Sequence, residues 1–79
     1  MEEQKIKQDG NINIGKNIRE IRLNRGIKQV EMVRQLQLIN IEMTRETLVK
    51  IESGKQHIKA SQLRGIRNIL DTTYDELLK

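Results

Sequence analysis

The stretch "TRETLVKIESGK", residues 44–55, decides how this chain reads. Leu48 and Ile51 are spaced to share one face of a helix. Thr44 is a good N-cap, and Glu46 in the first turn complements the positive helix end. Ser53-Gly54 breaks the pattern. The segment therefore predicts a helix from about Thr44 to Glu52 that buries a narrow stripe and opens with Arg45, Glu46 and Thr47. A helix that only packs has no need of so polar a start. One that reads a ligand with its first turn does.

Toward the N-terminus, Ile41 and Met43 lie in a short connector, with Glu42 between them facing solvent. Asn40 is the candidate for a left-handed position after a helix, since Asn commonly replaces Gly there. Before it, Met32, Val33 and Leu36 form the stripe of a helix that starts near Lys28 or Gln29 and ends near Leu38 or Ile39. An earlier helix begins at Ile14, with apolar residues at 14, 18 and 21, and stops at Gly26. Arg19, Arg22 and Arg25 suit the negative end of that helix. Residues 1–13 are polar and read as a mobile tail, so the folded domain is expected over 14–79.

Toward the C-terminus, residues 55–59 form a connector from which Ile58 is expected to enter the core. Ala60 to Leu70 is a helix with Leu63, Ile66 and Leu70 inward. Gly65 in its middle costs up to about 1 kcal/mol against Ala, which suggests close helix packing. Thr73 and Glu76 are spaced as a capping box and open a last short helix, Tyr74 to Leu78. Tyr74, Leu77 and Leu78 serve either to close the core or to form a dimer patch. No segment alternates long enough to be a strand. Five helices predict a compact all-α domain.

Composition narrows the function. The 79 residues contain no Cys, one His, and neither Phe nor Trp. Disulfides, thiolate metal sites and cysteine nucleophiles are excluded. His57 has no second His to share a metal with and reads as a loop residue near phosphate. The remaining acid pairs are helix-surface neighbours and no Gly-rich phosphate loop is present, so an enzyme is rejected and no cofactor is expected. The net charge is +4, and residues 14–59 hold ten basic groups against five acidic ones. That surplus suits a polyanion. No apolar run approaches a membrane span or a signal peptide, so a cytoplasmic protein is expected, with neither membrane nor small-molecule ligand.

Two helices joined by a short turn, the second polar at its start, form a helix-turn-helix, whose second helix enters the major groove. Here the chain resembles a known family. "IGKNIREIRLNRGIKQVEMVRQL", "TRETLVKIESGK" and "LRGIRNILDTTYDELL" look like the Xre/Cro-type (lambda-repressor-like) helix-turn-helix domains of bacteria and phages. The resemblance covers about residues 14–78. It rests most on Ile14-Gly15, Arg22, Gln29, Ile51-Glu52 with Gly54, and Leu70 with Asp75 and Leu77.

The resemblance implies a role for each matched position. Arg45, Glu46, Thr47 and Lys50 fall at base-facing positions. Lys28, Gln29, Thr44, Ser53 and Lys55 fall where phosphates are held. Arg22 and Glu52 match a structural ion pair between the first and third helices. It also implies double-stranded DNA as partner and a homodimer, weak or induced by DNA. One departure concerns the turn. The run from Val33 to Glu52 is longer than the common form, with most of the extra length assigned to the second helix and the rest to the turn. Val33 stands where the family favours a small residue, and Asn40 where a turn Gly is usual.

Two functions remain open on these grounds. One is a sequence-specific transcriptional regulator, a repressor of phage or mobile-element type. The other is a protein-interaction module of the same fold, such as an antitoxin-like or adaptor protein. The basic surplus near the motif favours the first.

Overall fold

The computed structural model describes residues 5–6 and 12–79. Five helices follow one another: α1 (Ile14–Asn24), α2 (Gln29–Leu38), α3 (Arg45–Glu52), α4 (Ala60–Leu70) and α5 (Tyr74–Leu77). Two short strands, β1 (Lys5–Ile6) and β2 (Ile58–Lys59), pair antiparallel, with Ile6 opposite Ile58. The fold is all-α with this small ribbon added.

The helix ends follow from local chemistry. Asn13 caps α1 by accepting from the Lys16 N–H. Thr44 caps α3 by accepting from the Thr47 N–H, and Thr73 caps α5 by accepting from the Glu76 N–H. At α5 only this half of the expected capping box is formed. Gly54 (φ 78°) and Asn40 (φ 61°) take left-handed backbone just past the ends of α3 and α2, a conformation that resists most side chains. The second helix ends before Asn40, as its sequence predicts. Asp71 (φ 51°) does the same after α4.

The core gathers one stripe from each helix. Ile14 and Ile18 meet Met32 and Leu36, Leu48 and Ile51, Leu63, Ile66 and Leu70, and Leu77. Met43 and Ile58 enter it from the connectors. Asn17 is buried and ties the two ends of the fold together, its Nδ2 donating to the Leu77 carbonyl at 2.9 Å. Leu77 thus closes the core, whereas Tyr74 stays exposed.

The expected tail and the absence of strands need correction. Lys5–Ile6 is held against Ile58–Lys59, Ile6 and Ile12 pack on the core, and Asn13 caps a helix. The domain therefore takes in parts of the segment 1–13. Two-residue strands are too short to produce a period-two pattern, and their pairing depends on a partner more than fifty positions away. Residues 1–4 and 7–11, also assigned to the tail, lie outside the described residues.

Candidate nucleic-acid interface

The helix α3 is fixed from within. Leu48 and Ile51 are fully buried, and its last residue, Glu52, turns inward although it is charged. Arg22 on α1 meets it with two parallel hydrogen bonds, Nε to Oε2 at 2.7 Å and Nη2 to Oε1 at 2.9 Å. Both side chains are almost wholly removed from solvent. The third arm of the guanidinium, Nη1, donates to the Ile27 carbonyl at 2.8 Å. Gln29, the first residue of α2, donates from Nε2 to Glu52 Oε1 at 3.1 Å. One carboxylate thus gathers α1, the α1–α2 loop and the start of α2 around the end of α3.

This inward anchoring turns the rest of α3 outward. Arg45, Glu46, Val49 and Lys50 are exposed, and Thr47 is half-buried. Glu46 and Lys50 form an i,i+4 pair at 3.3 Å in the open, an arrangement worth about 0.3–0.5 kcal/mol and easily exchanged for other partners. The Thr44 hydroxyl caps the helix and donates to Thr47 Oγ1 at 3.0 Å. Ser53 Oγ donates to the Lys50 carbonyl at 3.1 Å. Both hydroxyls, expected at phosphates, are thus already engaged as donors, and either must reorient to donate outward.

Two open depressions flank the outer face of α3, and Arg45 lines both. The first lies where the starts of α2 and α3 approach α1, among Arg19, Lys28, Gln29 and Arg45. The residue before α2, Lys28, makes no side-chain cap. The first-turn amides of α2 are then available to an anion, beside three cationic side chains. The second depression runs along α3 past Val49 and Lys50 to Ser53 and Lys55. Exposed cations therefore dominate this side of the molecule. The charge of Glu52 is matched by Arg22, and that of Glu46 by Lys50.

The structure brings Arg45, Glu46, Lys50, Ser53 and Lys55 to one depression, and Lys28, Gln29 and Arg45 to the other. Gln29, expected at a phosphate, also donates one amide hydrogen to Glu52. The second hydrogen of that amide and the backbone N–H of Gln29 can still donate to an anion. Two residues escaped the sequence reading. Arg19 joins the basic depression from a different helix, which only the fold brings near. Val49 lies on the outer face although it is apolar, and a signal existed: it falls one position off the Leu48–Ile51 stripe. His57 is exposed in the loop before β2. Among the described residues no cluster of His, Cys, Asp and Glu fit to hold a metal is found, and no helix is long and apolar enough to cross a membrane.

Comparison with known proteins yields no match among curated proteins or solved structures. A protein-family model described as Helix-turn-helix matches residues 18–77, which takes in all of α2 and α3 and the buried pair that joins α1 to α3. The chain therefore belongs to the Xre/lambda-repressor-like helix-turn-helix family, a family of DNA-binding regulatory domains rather than of enzymes.

Proposed function

We propose that this domain is a sequence-specific regulator of transcription, a repressor of phage or mobile-element type, that reads the major groove of duplex DNA with α3. One observation carries the reading: α3 is anchored from inside by Leu48, Ile51 and the Arg22–Glu52 pair, while its outer face is polar and cationic. Arg45, Glu46, Thr47 and Lys50 meet base edges. Phosphates are met by Lys28, by the α2 amides at Gln29, by Thr44, Ser53 and Lys55, and by Arg19 in addition.

Selection of bound sequences from random duplexes tests the proposal, followed by binding across a salt series. Phosphate contacts release counterions, so affinity falls steeply with salt. Arg45 lies in the first turn, where its guanidinium can make two hydrogen bonds to a guanine edge. Such a contact discriminates by about 1–3 kcal/mol. Arg45→Ala is expected to weaken the selected operator far more than random DNA and to relax preference at one base pair. Lys55 lies past Gly54, where it meets only backbone. Lys55→Ala is expected to weaken all sequences alike and to reduce the salt slope by about one counterion. Equal losses for Arg45→Ala on both DNAs would place the reading face elsewhere. Failure to select any duplex at low salt would sink the DNA reading and favour the adaptor one.

A domain this small reads few base pairs, so it is proposed to act as a dimer on a two-fold-related site, formed around α5 and either weak in solution or assembled on DNA. The molecule is 34 Å in its longest direction, against about 34–36 Å between half-sites one turn apart. Two copies fit side by side on one face of the duplex. The selected consensus is expected to be an inverted repeat bound by two chains, measured by titration of a fixed duplex. A consensus lacking that symmetry, bound one to one, rules the dimer out.

A further inference from the structure

Six large apolar side chains are exposed among the described residues, and one of them, Val49, stands on α3. Scattered surface apolar groups need no explanation. Val49 is different because of its neighbours. It is 43% exposed and lines the depression shared by Arg45, Glu46, Lys50, Ser53 and Lys55. It follows Arg45 by one helical turn and precedes Ser53 by one, so the three share one side of the helix. When α3 enters a major groove, Val49 goes in with it.

The major-groove edge of a base pair consists of donors, acceptors and one apolar group, the methyl on C5 of thymine. An isopropyl group pressed against donors and acceptors strips them of water and offers no hydrogen bond, which is costly. Against a methyl group it costs no hydrogen bond and buries apolar surface on both sides. A cytosine methylated at C5 presents the same group at the same place.

Building on the DNA reading above, we infer that Val49 is a specificity-determining residue that recognises a pyrimidine C5-methyl group in the major groove. Four residues of helix advance about 6 Å, and a base step about 3.4 Å, so the methyl lies within about two base pairs of the one that Arg45 meets. The site therefore combines a bidentate donor with an adjacent apolar contact, and the two read different base pairs.

The test uses the selected operator with each thymine replaced in turn by deoxyuridine, and each cytosine in turn by 5-methylcytosine. One buried methyl is worth about a fourfold change in affinity. The wild-type protein is expected to lose about that much at one thymine when the methyl is removed, which identifies thymine as the source. Alternatively it gains about that much at one cytosine when the methyl is added, which identifies 5-methylcytosine. Val49→Ala is expected to show neither response while unfolding at the wild-type temperature, because Val49 lies outside the core. Indifference of the wild type to every replacement overturns the inference, as does a Val49→Ala variant that responds as the wild type does. Either result leaves DNA binding itself intact. Absence of any selected duplex is the separate failure of the DNA reading, and this inference falls with it.

Discussion

Arg22→Ala is expected to lower the midpoint of thermal unfolding far more than Arg19→Ala or Arg25→Ala. The three arginines lie on or just after the same helix and carry the same charge, so the comparison isolates their surroundings. Arg25 is exposed and donates to the Asp71 carbonyl at 3.0 Å, and Arg19 lines an open depression. Surface substitutions of that kind change stability by about 0.5 kcal/mol or less. Arg22 and Glu52 are closed off from water and joined by two short hydrogen bonds. Removing the guanidinium leaves a buried carboxylate with, among the described residues, only the Gln29 amide as a hydrogen-bond partner. The Ile27 carbonyl loses its donor as well. Breaking a buried pair on one side costs about 3–5 kcal/mol.

For a domain of this size that cost corresponds to a fall of at least about 12 °C in the unfolding midpoint. The loss comes mainly from the orphaned charge rather than from the worth of the pair. The double variant Arg22→Met with Glu52→Leu removes both charges and is expected to recover much of the stability. Equal midpoints for Arg22→Ala, Arg19→Ala and Arg25→Ala would show that the pair is open to solvent. A double variant no more stable than Arg22→Ala would show that the ionic network itself, and not the stranded carboxylate, sets the cost.

What the sequence made legible was local. Thr44, Thr73, Gly26, Asn40 and Gly54 carry their meaning in their own side chains or backbone preferences, so α1 and α2 stop, α3 starts and stops, and α5 starts near where those residues predict. The inward stripes were legible too, because one helical period shows in one short run. Relations between distant segments were not legible from residues alone. The pairing of Arg22 with Glu52 followed from family resemblance, since spacing gives no reason to join two charges thirty positions apart. Nothing near Gln29 tells that its side chain turns to Glu52. The ribbon between Ile6 and Ile58, the bond from Asn17 to Leu77, and the meeting of Arg19 with Arg45 all depend on the finished fold. Val49 was hidden for a different reason. Its position one off the Leu48–Ile51 stripe pointed outward, but an apolar residue beside a buried stripe is ordinarily expected to widen it.

The closeness of α1 to α3 leads to the remaining prediction, that Gly15→Ala is severely destabilising. Gly15 is the second residue of α1 and is buried against the last turn of α3. A Cβ there would fall onto the Ile51 carbonyl oxygen, with the Ile51 carbonyl carbon 3.0 Å away and the Glu52 Cα 3.2 Å away. All three are backbone atoms in a helix, so no rotamer change relieves the clash and the helices must move apart. Overpacking of this kind costs about 1–3 kcal/mol, and more where the surroundings are rigid. Here the displacement also pulls on the Arg22–Glu52 pair, which bridges the same two helices. Gly65→Ala is the control. Its Cβ would meet the ends of the Ile41 and Leu36 side chains, which can rotate, and Ala gains up to about 1 kcal/mol over Gly in a helix. Gly15→Ala is expected to unfold at markedly lower denaturant than Gly65→Ala. In whatever fraction stays folded, operator affinity falls as well, because the shift displaces the reading helix. Equal denaturation midpoints for the two variants would show that the backbones of α1 and α3 do not touch.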